Sequence, residues 1–140
     1  MFKITIIGVG KTKDARLQEL VDEFYDRLRS SATISQVIVK DEANLWAKIP
    51  KQCQVIALEV DGKVMDSPSL AKYIQNAQVQ GISHLAIIIG PAEGFTGYQA
   101  SVAMKLSLSA MTFSHQTIRL LLAEQLYRAF TIIEGKPFAK

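Results

Sequence analysis

The chain has a single cysteine, Cys53, in 140 residues. That excludes an intrachain disulfide and any zinc site built on cysteines. Histidine is almost as scarce, with His84 and His115 the only two. His115 has no second histidine or carboxylate at ligand spacing, so no metal is expected, and His84, just before a strand, reads as a surface residue. No apolar run approaches the roughly 18 residues that a membrane span needs. The opening Met1-Phe2-Lys3-Ile4-Thr5-Ile6-Ile7 is similar to the apolar part of a signal peptide, but it is too short and runs straight into Gly8-Val9-Gly10-Lys11. It reads better as a buried strand, in a soluble, cytoplasmic protein. With no repeats, low-complexity segments or linkers, one domain over 1–140 is expected.

What is present suits one globular domain. Hydrophobic residues make up 49% of the chain and charged residues 21%, enough apolar material for one core and too little charge for disorder. A net charge of +3 is compatible with a nucleic-acid partner without requiring one.

Strand and helix patterns alternate. Residues 2–9 are β-branched and continuous, as in a buried parallel strand. Asp14 can cap a helix whose apolar face is Leu17, Leu20, Val21, Phe24 and Leu28. Ile34 to Val39 is a second strand, and 41–52, around Trp46 and Pro50, a short helix or loop. Val55 to Val60 is a third strand closed by the turn pair Asp61-Gly62, and Ser67-Pro68 starts a helix with the serine as cap. Leu85 to Ile89 is a fourth strand. A loop carrying Gly90, Gly94 and Gly97 follows, then a helix near Tyr98 to Leu106 and a short fifth strand from Ala110 to Phe113. The last helix, Thr117 to Ile133, has a second apolar strip of Leu120, Ala123 and Tyr127 that suggests contact with another subunit. The alternation predicts an α/β domain, a parallel sheet with helices on both faces. Ligands in such sheets bind beyond the C-terminal strand ends, which directs attention to 8–14, 61–67, 90–97 and 114–117.

Gly8-Val9-Gly10-Lys11-Thr12 fails two familiar templates. A Walker A loop needs glycine where Thr5 stands, and a dinucleotide fingerprint needs it where Lys13 stands. Two readings stay open: a tight turn with surface lysines, or an RNA-contacting loop using Lys11, Lys13 and Arg16. Gly90 directly after a buried strand would let a ligand approach the backbone, although an ordinary loop fits as well. The small and apolar run Leu108-Ser109-Ala110-Met111-Thr112-Phe113 could wall an adenine or be a plain buried strand. Glu124 and Arg128 have the spacing and order of a helical ion pair, and Arg119 and Arg128 stand out on an apolar helix as partners for phosphate or carboxylate.

The run from Ser107 to Arg119, followed by Ala123-Glu124-Gln125-Leu126-Tyr127-Arg128-Ala129-Phe130, closely resembles the C-terminal signature of the RlmH family. Val9-Gly10-Lys11, Leu58 to Lys63 and Ile89-Gly90 are similar too, so the resemblance covers nearly the whole chain. These are SPOUT methyltransferases that modify N3 of a pseudouridine in 23S ribosomal RNA. The resemblance implies a parallel-sheet SPOUT fold with a C-terminal trefoil knot, a homodimer, and S-adenosylmethionine held by Leu58, Gly90, Leu108, Ser109, Ala110, Met111, Thr112 and Phe113. The sequence departs from the family in three places. The segment between the second and third strands is shorter than usual. The family's Gly-Gly-Pro-Glu-Gly loop is Gly90-Pro91-Ala92-Glu93-Gly94. The usual Tyr-His-basic ending is Phe138-Ala139-Lys140.

N3 of a pseudouridine carries a proton at neutral pH, so a base or a cation that favours the imidate must act. Glu93 and His115 are candidates for the proton, and Arg119, Arg128, Lys136 and Lys140 for positive charge. The altered tail motivates an alternative, a SPOUT-fold RNA-binding protein that keeps the cofactor but has lost catalysis. An unrelated flavodoxin-like nucleotide-binding domain is the other.

Overall fold

A computed structural model describes residues 1–137. The elements are β1 (Lys3–Val9), α1 (Ala15–Arg27), β2 (Thr33–Val39), α2 (Glu42–Ala47), β3 (Gln54–Val64), α3 (Ser67–Val79), β4 (His84–Ile89), β5 (Met104–Ser107) and α4 (His115–Ile133). The five strands form one sheet in the order β2-β1-β4-β3-β5, and every pairing is parallel. The expected α/β architecture with a parallel sheet is therefore present. Among the described residues no helix is long and apolar enough to cross a membrane.

Period-two alternation divides the apolar residues between two faces. Ile4, Ile6, Ile56, Leu58, Leu85, Ile87, Ile89 and Leu106 face the larger core, filled by Val21 and Tyr25 of α1, Leu70 and Ile74 of α3, and Leu122, Leu126 and Phe130 of α4. Ile7, Val55, Ala57, Ala86 and Ile88 face the smaller one, covered by Leu45 and Trp46 of α2 and flanked by Phe95 and Val102. The central strands are buried on both sides, which is why they read as continuous hydrophobic runs.

Several local expectations are corrected. Asp66, not Ser67, caps α3: its carboxylate accepts from the Ser69 N–H at 2.8 Å, and Ser67 is the first helical residue. Asp61-Gly62 is not a turn. β3 continues through it, with a register shift against β5 between Leu58 and Lys63. Residues 98–103 are not helical. The Ala103 N–H donates to the Val55 carbonyl at 2.8 Å, and the chain enters the sheet at once as β5. The fifth strand is consequently Met104–Ser107, and 110–113 is a loop. His84 is half-buried rather than on the surface, 2.8 Å from the Thr5 hydroxyl through Nε2. The second strip of α4 has partners within the chain: Ala123 is fully buried, and the Tyr127 ring packs 5.8 Å from Phe24 of α1.

Candidate functional site

The C-terminal ends of β3, β4 and β5 open onto one cleft of about 680 Å³. Three chain segments wall it: Leu58 to Asp61 of β3, Ile89 to Phe95 after β4, and Leu106 to Ser109 with Met111 to His115 after β5. Ile118 of α4 closes the floor. A parallel sheet places these ends together, as expected for a ligand site.

The segment after β5 is shaped by its own serines. Ser107 Oγ donates to the Ser109 carbonyl at 2.7 Å, and Ser109 Oγ accepts from the Met111 N–H at 3.0 Å. These bonds curl the chain where a strand was expected. Ser114 then caps α4 by accepting from the Thr117 N–H at 3.1 Å, which sets His115 and Ile118 on the helix turn that faces the cleft.

Gly90 lines the cleft, but its missing side chain serves a protein contact. A Cβ there would sit 3.1 Å from the ring of Phe95. The glycine lets Phe95 fold back over the strand end. Phe95, Trp46 and Tyr98 form a mutual cluster with centroids 5.6–5.7 Å apart. Glu42 ties the cluster to α2, accepting from Thr96 N–H at 3.0 Å and Trp46 Nε1 at 3.1 Å. Burial alone would raise the Glu42 carboxyl, but the bonds from Thr96 and Trp46 outweigh it and hold it below the ordinary carboxylate range.

Glu59 adds charge to the wall. Its carboxylate accepts a hydrogen bond from the Tyr98 hydroxyl and lies 3.8 Å from Lys105 Nζ. Burial, reinforced by that carboxylate, pushes the Tyr98 phenol well above its ordinary range, so it stays a donor. Asp61 and Glu93 also line the cleft, giving it three carboxylates along mainly apolar walls.

Of the residues expected to hold a cofactor, Leu58, Gly90, Leu108, Ser109, Met111, Thr112 and Phe113 come together here, whereas Ala110 is exposed and lies outside the lining. Of the expected catalytic residues, His115 and Glu93 line the cleft. Arg128 does not. It pairs with Glu124 at 2.8 Å and sits further along α4, about 20 Å from His115 at about 1.5 Å per residue. Lys140 and the Phe138-Ala139 pair lie outside the described residues. Phe95 and Ile118 were missed from sequence; a phenylalanine directly after the glycine loop was the signal available for the former. No group of three or more His, Cys, Asp or Glu that could hold a metal occurs among the described residues.

Comparison with known proteins gives consistent results. A family model described as a predicted SPOUT methyltransferase matches residues 2–138. A protein named ribosomal RNA large subunit methyltransferase H from Halothermothrix orenii is 42% identical over 158 residues, covering 99% of both chains. Proteins of the same name from Shouchella clausii and Protochlamydia amoebophila are 37% and 35% identical, and the latter match covers 100% of both chains.

Proposed function

We propose a reaction from one premise: this chain belongs to the SPOUT methyltransferases, in the family named ribosomal RNA large subunit methyltransferase H. It is an enzyme that methylates large-subunit ribosomal RNA. Within that activity the methyl donor is S-adenosylmethionine and the acceptor is N3 of a pseudouridine. The observation that carries this reading is the cleft itself, which gathers seven of the eight residues that the family resemblance implies for the cofactor, Ala110 being the exception.

The cleft suits that cofactor chemically. Leu58, Leu106, Leu108 and Phe113 offer apolar surface to a flat purine. Glu59, Asp61 and Glu93 offer negative charge to a molecule with a sulfonium and an ammonium group. When bound, the cofactor supplies an electrophilic methyl group. The protein's share is to align the acceptor nitrogen, exclude water and take the N3 proton. His115 and Glu93 are the described lining residues proposed for that proton. Arg128, so far along α4, acts only if a second chain carries it to the cleft.

That is one reason a homodimer belongs to the proposal. Another is the exposed apolar surface at the cleft: Met111 and Phe113 are 72% and 38% exposed, and large solvent-facing apolar groups of this kind mark interfaces. The trefoil knot and a cytoplasmic location complete the reading, supported by the family resemblance and by the ribosomal substrate.

The test is methyl transfer to large ribosomal subunits lacking the modification, with calorimetry of S-adenosylmethionine binding beside it. Incorporation at the pseudouridine supports the reading. Tight cofactor binding without incorporation refutes it and favours the RNA-binding alternative.

A further inference from the structure

We propose that the turn between β1 and α1 binds phosphates of the RNA substrate, and that Arg119 is the positioning residue that fixes this turn beside the methyl-transfer cleft. This rests on the reading of the protein as an RNA methyltransferase and names a surface for that substrate.

Because all five strands run parallel, their C-terminal ends lie along one edge. The cleft occupies the β3, β4 and β5 end of it. The β1 and β2 end carries Lys11, Lys13 and Lys40, all exposed. The Gly10 N–H donates to the Val39 carbonyl at 2.8 Å, which holds the turn against the end of β2 and so gathers the three lysines. The nearby carboxylates are already engaged: Asp14 caps α1 and pairs with Arg16, and Asp41 caps α2. Among the described residues none of the three lysines is in an ion pair.

Surface lysines alone would mean little. What distinguishes this turn is the buried cation beneath it. Arg119 is 6% exposed, and its guanidinium donates to the carbonyls of Val9 at 2.9 Å and Gly10 at 2.6 Å and to the Thr12 hydroxyl at 3.2 Å. Its Nε has no partner among the described residues. Burying a guanidinium is costly, and an apolar side chain would fill the space with less penalty. Arginine adds three directional bonds, all spent on fixing one short turn. Gln116 adds a fourth, accepting from the Lys13 N–H at 2.9 Å.

The same helical turn serves both places. His115 and Ile118 face the cleft, while Gln116 and Arg119 grip the lysine turn. Gly8, over which the guanidinium lies, pairs with Ile89, the residue before Gly90. The end of β1 that leads into the turn is thus one strand spacing, about 5 Å, from the strand that ends in the cleft, and the end of β2 that carries Lys40 is two. An RNA strand whose reacting base sits in the cleft must carry its flanking phosphates past this edge, where a fixed row of cations would set its register.

The test compares Lys11→Gln/Lys13→Gln with Lys48→Gln/Lys51→Gln, which removes the same charge from exposed positions ahead of β3. Binding to unmodified large subunits is measured without donor across a salt series, and methylation is measured separately. We expect the first pair to weaken binding on the order of tenfold and to make the log–log salt slope shallower by about 2, with cofactor affinity and kcat unchanged and the control near wild type. Arg119→Lys, which keeps the charge but not the fork, should raise KM for the particles at unchanged cofactor affinity; if it does not fold, the lysine pair still decides. Equal affinity and slope in the two double variants overturn the surface even if wild type methylates. Absent methylation by wild type overturns the reaction even if the slope shifts.

Discussion

The ring of Phe95 occupies the space into which a side chain on Gly90 would grow, with its nearest carbon 3.1 Å from the Cβ position. The glycine thereby moulds the wall of the cleft through an aromatic neighbour. Gly90→Val should push Phe95 off its seat and weaken cofactor binding on the order of tenfold, with the fold retained. Phe95→Leu added to it should recover part of the loss, because the smaller side chain makes room. Calorimetry of the single and double variants checks both; equal affinity of Gly90→Val and wild type would falsify the coupling.

A second close approach controls the sheet. A Cβ on Gly62 would lie 2.8 Å from the carbonyl carbon and oxygen of Lys105, atoms of the neighbouring backbone that cannot rotate away. Gly62→Ala should separate β3 from β5 just where Leu106 enters the core. A loss of about 1–3 kcal/mol is expected, seen as a fall of several degrees in Tm. A melting curve superimposable on wild type would show that the bulge tolerates a methyl group.

Glu42 should leave a mark on acid stability. Its folded-state pKa lies below the ordinary value of 4.5, so the stability it contributes is present above that value and lost as pH falls through the folded one. Glu42→Gln should therefore be less stable than wild type near neutrality, and the gap should narrow as the pH falls below the ordinary value of 4.5. Urea midpoints across that range measure it. A gap that stays constant with pH would mean that the carboxylate's charge is not what holds Thr96 and Trp46.

Much of this was readable in the chain, and the misreadings share a cause. The parallel strands showed themselves because β-branched residues buried on both faces leave long apolar runs. Asp14 was recognised as a cap because capping depends on a side chain and amides two or three residues away. The errors came where distant backbone decided. Asp61-Gly62 has turn composition, yet its glycine answers to Lys105. Tyr98 to Leu106 looked helical, but pairing of Ala103 with Val55 claimed it for the sheet. The cleft followed the same rule. The segment after β5 was legible through its family signature, whereas the fold-back of Phe95 depends on packing against Trp46, distant along the chain, so its place after the glycine loop was only a partial signal.

The proton-handling roles proposed for His115 and Glu93 can be separated. His115 is half-buried on the first turn of a 19-residue helix, and Glu93 is exposed on the loop after β4. The more firmly held group should matter more. In single-turnover methylation, His115→Ala should slow the chemical step by roughly 100- to 10,000-fold at unchanged cofactor affinity, with Glu93→Gln closer to wild type. The opposite ranking would transfer the role to the loop.

The altered ending invites a gain-of-function test. Phe138→Tyr/Ala139→His restores the phenol and imidazole usual in the family. If alignment and electrostatics carry most of the barrier reduction, the natural chain should already react, and the double variant faster. No activity in either, with cofactor binding intact, would favour the RNA-binding alternative that has lost catalysis.

The order of assembly follows from where α4 packs. It touches both α1 and α3, and its Leu122, Leu126 and Phe130 complete the larger core. Lys3 of the first strand must likewise wait for His84 before its second neighbour exists. A nascent chain can pair β1 with β2 early, and α1 and α3 can cover part of the sheet's apolar face, but the larger core stays incomplete until α4 is in place. Parallel pairings between strands so distant along the chain, such as Lys3 with His84, are of the kind that slows folding and leaves partly folded chains with exposed apolar surface.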